Sequence, residues 1–166
     1  VRHLGLEPIR HVLDLLTQEH REVEDLLDQL SMPGTREFDP RDIADVVIAS
    51  LVRHSVAEEM YVYPAMREYL DDGEELVEHD IVEHQQLEES LKELEGLEPE
   101  DKRFGEGVDQ LRAILADHVQ DEEEEQFPRL RERIPADELV ELRAKVELAE
   151  KLAPTRPHPS APHSEL

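Results

Sequence analysis

The chain has 166 residues, enough for one domain with a real core. It carries 43 Asp+Glu against 18 Lys+Arg, a net charge of −25, so it lacks the basic footprint that nucleic acid or an anionic membrane surface needs. It has no cysteine, which excludes disulfides, iron–sulfur clusters and thiolate zinc sites.

The first residues, Val1 to Pro8, lack the apolar stretch of a signal peptide. No apolar run approaches the ~20 residues that span a bilayer. The best candidate, Ile43 to Val52, is broken by Asp45 and Ser50. A leader over residues 1–8 and a cytoplasmic location are the expectations.

Aromatic residues are few, so Leu, Val, Ile and Ala must form the core, and they recur at helical spacing. A first helix is predicted from Ile9 to Leu30, with Leu13, Leu16, His20, Val23, Leu27 and Leu30 inward. Ser31-Met32-Pro33-Gly34 stops it. Asp39-Pro40 is a start signal, with Asp as N-cap and Pro at the first helical position. The second helix then runs to Leu70, with Ile43, Val47, Leu51, His54, Glu58, Tyr61 and Ala65 inward. Pro64 should kink it or re-phase its last turns.

Asp71-Asp72-Gly73 turns the chain into a third helix, Glu74 to Leu94, with Leu76, Ile81, His84, Leu87, Leu91 and Leu94 inward. A fourth helix covers Phe104 to Arg133, with Val108, Leu111, Leu115, His118, Glu122 and Phe127 inward; Pro128 sits in it as Pro64 sits in the second. A short helix from Asp137 to Leu152 should pack outside, and the Pro-rich residues 153–166 should stay disordered. The expected fold is all-α: an antiparallel up-down-up-down four-helix bundle over residues 9–135, with an accessory C-terminal helix over 136–152.

Each main helix places one His on its apolar stripe. A lone His there is usually a satisfied core residue. Four in one small core are different, because each unpaired buried nitrogen costs roughly 1–3 kcal/mol. A shared metal removes that burden. Glu58 follows His54 by four residues and Glu122 follows His118 by four. Four residues turn a helix through about 400°, so each Glu lies ~40° from its His, one turn along. Two buried carboxylates facing each other are very costly unless cations lie between them. Two carboxylates bridging two metal ions, with imidazoles capping each ion, satisfy all six groups. This donor set suits iron, and zinc or manganese less specifically.

His20, His54-x-x-x-Glu58, His84 and His118-x-x-x-Glu122, in that order, resemble the signature of the hemerythrin-like, HHE cation-binding domains. The flanking text is similar too: Arg53-His54-Ser55-Val56-Ala57-Glu58-Glu59 ending in Tyr63-Pro64, and His118-Val119-Gln120-Asp121-Glu122-Glu123 ending in Phe127-Pro128. The resemblance covers residues 9–135. It implies a centre of two iron ions, oxo- or hydroxo-bridged, with His20, His54, Glu58, His84, His118 and Glu122 as ligands. It also implies a small partner such as O₂, peroxide or nitric oxide, in oxidative-stress or iron and redox handling. Peroxide decomposition is one expectation; non-catalytic oxygen, nitric oxide or iron binding for sensing or storage is the alternative.

Two departures bear on this. The oxygen-carrying hemerythrins have His-x-x-x-His on the third helix, where His84 is followed by Glu88, which is either a further ligand or a rim carboxylate. They have His-x-x-x-x-Asp on the fourth, where the five-spaced residue is Glu123, about 140° off the His118 direction. His79 lies ~140° from His84 and is expected at the surface. Tyr61 and Tyr63 flank Glu58 and are expected mainly to pack. Ferritin-like di-iron proteins use Glu-x-x-His units, and no His in this chain has a Glu three residues before it.

Overall fold

In the computed structural model, residues 8–32 and 38–153 are described. They form five helices, with no strand among the described residues. Helix α1 is Val12–Ser31. Helix α2 runs over Pro40–Ala57, a π-helical segment Glu58–Val62, and Tyr63–Tyr69. Helix α3 is Gly73–Glu95. Helix α4 runs over Lys102–Gln120, the π-helical segment Asp121–Gln126, and Phe127–Arg133. Helix α5 is Ala136–Leu152. The first four form the expected antiparallel bundle, each packed on its two neighbours in chain order, with α4 closing on α1. Helix α5 lies outside, against α1 and α2. Apart from Pro8 and Ala153, the expected leader and tail lie outside the described residues, as does the Pro33-Gly34 stop. No described helix is long and apolar enough to cross a membrane.

Asp39 caps α2 as its sequence suggests, accepting the Arg41 amide at 2.7 Å. Helix α1 starts later than the periodicity predicts, at Val12 rather than Ile9. His11, which lies off the predicted inward face, is its N-cap. Its Nδ1 accepts the Leu13 amide at 3.2 Å, and Asp14 accepts the His11 amide at 3.3 Å. This is a capping box built with imidazole in place of a hydroxyl. At the α2–α3 turn, a Cβ on Gly73 would sit 2.1 Å from the Met66 carbonyl oxygen. Only glycine lets the start of α3 pass that close to the end of α2.

Both internal prolines are absorbed by π segments. Pro64 lacks an amide and its ring would crowd the carbonyl four residues back. The turn instead widens: the Tyr63 amide donates to the Glu58 carbonyl, and the Phe127 amide to the Glu122 carbonyl, both five residues back. One extra residue per turn rotates everything beyond it by about 100°. Tyr63 and Met66 are therefore buried, while Tyr61, predicted inward, is half-buried. In α3 the buried stripe reads Val77, Asp80, His84, Leu87, Leu91 and Leu94; Leu76 and Ile81, predicted inward, are half-buried at its edges.

The apolar side chains form two clusters. One joins Leu13, Leu16, Val62, Tyr63, Met66, Val77, Phe127 and Leu130 with Leu139 and Val146 of α5. The other joins Val23, Leu27, Ile43, Val47, Leu51, Leu87, Leu91, Val108 and Leu111. Each buried Leu, Val or Ile contributes ~1.5–3 kcal/mol. Between the clusters the stripes of all four bundle helices turn polar together.

Candidate metal centre

That polar layer gathers all six predicted residues: His20 from α1, His54 and Glu58 from α2, His84 from α3, and His118 and Glu122 from α4. None is more than 5% exposed. Glu58 Oε1 lies 3.0 Å from His54 Nε2, 3.5 Å from His84 Nε2 and 3.6 Å from His118 Nε2. Glu122 Oε1 lies 3.0 Å from His118 Nε2 and 3.2 Å from His20 Nε2. Two donor triads result, His20–His54–Glu122 and Glu58–His84–His118, each with its donor atoms within 4.8 Å of one another. Each carboxylate touches imidazoles of both triads.

Despite these approaches, His20 Nε2, His54 Nε2, both Glu58 oxygens and Glu122 Oε1 are buried with no hydrogen-bond partner. The atoms converge on shared space without hydrogen-bond alignment. Five such orphans in one layer would cost several kcal/mol in a purely structural core. Cations between them satisfy all five, so the residues present fit a metal site.

The outer nitrogens are all engaged, and in a closed circuit. His54 Nδ1 lies 2.7 Å from Glu19, His84 Nδ1 2.9 Å from Glu59, His118 Nδ1 3.1 Å from Glu83, and His20 Nδ1 2.6 Å from Glu123. Each of these carboxylates is the sequence neighbour of a predicted ligand on its own helix and holds the imidazole of the adjacent helix. A carboxylate only accepts, so each Nδ1 carries the proton and donates. A neutral ring then presents its Nε2 lone pair inward, the form that ligates metal. The sequence reading missed these four residues, and treated Glu123 only as a rejected alternative to Glu122. The available signal was their position beside each ligand.

The two halves of the bundle mirror each other. Glu19, His20, His54, Glu58, Glu59 and Tyr63 correspond to Glu83, His84, His118, Glu122, Glu123 and Phe127, always at the interval that separates His20 from His84. The Phe127 ring stacks near-parallel on His20, with centroids 6.2 Å apart. The Tyr63 ring lies 5.4 Å from His84, its hydroxyl 3.0 Å from Nε2 and 3.1 Å from Nδ1. Tyr63 therefore touches the polar layer, which goes beyond the packing role expected of it. Glu88 is buried but belongs to no donor triad among the described residues, and His79 is at the surface, 60% exposed.

The electrostatics follow from crowding. Burial alone would lower the His54 pKa, but Glu58 and Glu19 outweigh it and hold it well above the usual imidazole range. Burial would likewise lower His84, yet Glu58 and Glu59 push it up to about 9. His118 and His20 are raised against the same desolvation, chiefly by Glu122. Burial would raise Glu58, but His54 above all holds it well below the carboxylate range. Without a cation, protons on the imidazoles supply the positive charge that Glu58 and Glu122 require.

A cavity of about 160 Å³ opens between α1, α2 and α5, lined by Glu19, His20, Ser50, Arg53, His54 and Glu150 among others. It reaches the triad that contains His20 and His54. At its mouth burial, and then the Glu19 carboxylate beside it, push the Glu150 carboxyl up to about 9.

Comparison with known proteins is consistent with this geometry. Residues 11–130 match the Hemerythrin HHE cation binding domain. An uncharacterized hemerythrin-like protein of Schizosaccharomyces pombe is 30% identical over 165 residues, covering 98% of this chain and 80% of that protein. A protein of Nostoc sp. named DNA nickase is 25% identical over 131 residues, 77% of this chain but 36% of that longer protein. The crystal structure of a hemerythrin HHE cation binding domain-containing protein from Mycobacterium kansasii shares the fold, with a TM-score of 0.72 over 86% of each chain at 20% identity.

Proposed function

Because this chain belongs to the hemerythrin HHE cation-binding family, we propose that its buried layer holds two iron ions and that the protein binds and turns over dioxygen or peroxide. The observation that carries this reading is the set of five buried, unpartnered donor atoms on His20, His54, Glu58 and Glu122. His20 and His54 would serve one ion, His84 and His118 the other, and Glu58 and Glu122 both. Imidazole with carboxylate is a donor set suited to iron. Six protein side chains leave coordination positions open on two such ions. Bound iron supplies one-electron exchange with a small oxidant.

The chain's own residues do the rest. Glu19, Glu59, Glu83 and Glu123 keep the Nδ1 protons in place, and so fix which nitrogen faces inward. The two apolar clusters exclude water from both ends of the layer. The cavity beside His20 and His54 has room for a diatomic gas or peroxide. The net charge of −25 argues against nucleic acid as the partner.

The deciding assay is oxygen release from hydrogen peroxide by the iron-loaded protein and by His54→Ala. The reading predicts turnover above that of free iron, lost together with bound iron in the variant. Background turnover, with a reversible oxygen adduct of the reduced protein, would replace the catalytic reading by oxygen binding or sensing.

A further inference from the structure

The mirror relation between the bundle halves breaks at several positions, four of which gather on the α3–α4 side. His79, Asp80, Asp121 and Gln126 stand where the first half has Leu15, Leu16, Ala57 and Val62. Among the described residues, helix α5 packs on the α1–α2 face and no helix covers the α3–α4 face, which accounts for polarity at exposed His79 and half-buried Asp121. It does not account for Asp80. This carboxylate is fully buried, where its counterpart Leu16 is equally buried. Gln126 Nε2 donates to Asp80 Oδ1 at 3.1 Å, and Asp80 Oδ2 has no hydrogen-bond partner. A buried carboxylate left half-satisfied costs the fold several kcal/mol that leucine would not.

The four residues fall into two contacting pairs, His79 with Asp121 and Asp80 with Gln126. At the surface, His79 Nε2 is 3.5 Å from Glu83 Oε2 and 3.5 Å from Asp121 Oδ2, a triad from two helices. Glu83 turns its other oxygen inward, 3.1 Å from His118 Nδ1. Behind it, Asp80, Glu83 and His118 form a second triad with donor atoms within 4.8 Å of one another, and Glu58, His84 and His118 form the third. Successive triads share a member, Glu83 and then His118. The three triads therefore adjoin one another from the surface to the buried layer.

We propose that His79, Glu83 and Asp121 form an outer site for a divalent transition metal, which passes by way of Asp80 into the buried layer. The passage rests on reading that layer as the metal centre; the outer site does not. Imidazole with two carboxylates is a donor set for first-row divalent ions.

Two measurements on the full chain test this. The first titrates zinc into the iron-loaded protein. Wild type should take one further equivalent, absent in His79→Ala and Asp121→Asn and retained in Asp80→Asn. The second follows anaerobic ferrous iron uptake after chelation. All three variants should fill about tenfold more slowly, each having lost a donor or a negative charge along the route, to the same final content. Zinc still bound by His79→Ala overturns the outer site. Zinc lost with uptake unchanged overturns the passage. A wild type that takes no iron internally, yet loses its zinc with His79, overturns the buried centre and leaves the outer site standing.

Discussion

His54 Nδ1 lies 2.7 Å from Oε1 of Glu19, the residue immediately before His20 on the neighbouring helix. The same relation recurs three times around the bundle, so every helix that supplies an inward-facing donor also orients its neighbour's imidazole. Helix packing and the inner site are therefore one structure.

Replacing an outer carboxylate should weaken metal binding without unfolding the chain. Glu19→Gln keeps the shape and an accepting oxygen but removes the charge that holds the Nδ1 proton. The expected loss in metal affinity is about 10–100-fold, the usual effect of an outer partner. Competition with a chelator measures it, with circular dichroism to show that helix content is kept. Unchanged affinity in Glu19→Gln and Glu59→Gln alike would remove the orienting role.

The metal-free protein should lose stability as pH rises. The folded pKa of His84, about 9, lies above its ordinary 6.5, so its contribution is complete below pH 6.5 and gone above 9. Asp80, pushed up to about 7 mainly by burial, and Glu150, up to about 9, act in the same direction, since the folded state favours their protonated forms. Glu58, held low, loses its contribution as pH falls below its ordinary 4.5. Metal-free protein should therefore be most stable near pH 4.5 and lose stability progressively from there toward pH 9. Metal-loaded protein should lose less stability by pH 9, because cations replace the imidazole protons while Asp80 and Glu150 still ionise. Urea midpoints of both forms across this range check the sign; a metal-free protein equally stable at pH 6 and 9 would contradict it.

Gly73→Ala should destabilise the fold and spare the site. The added Cβ meets the Met66 carbonyl oxygen at 2.1 Å, backbone that can yield only by moving the α2–α3 turn. Overpacking of this kind costs about 1–3 kcal/mol. The thermal midpoint should fall while metal per folded chain stays constant.

The bundle was legible because its stripes are long and its stops are chemical: Asp39-Pro40, Asp72-Gly73, and one His on each stripe. The six inward residues were legible because four-residue spacing fixes a shared helix face. What could not be read depends on more than one helix. Glu19, Glu59, Glu83 and Glu123 look like any of 43 acidic residues until the neighbouring helix is in place. Tyr63 was passed over for Tyr61 because a π turn breaks the 3.6-residue count that the reading assumed. Asp80 was skipped because a lone carboxylate is a poor guess for a fully buried position. His11 was missed because imidazole is a rare helix cap.

Metal content tests the central claim most directly. The purified full chain, wild type and Glu122→Ala, should be assayed for iron, zinc and manganese per folded protein. The account predicts about two irons in wild type and close to none in the variant, since Glu122 contacts imidazoles of both donor triads and its loss should empty both positions. A wild type that stays metal-free after iron reconstitution, or a Glu122→Ala variant that keeps both irons, would contradict it.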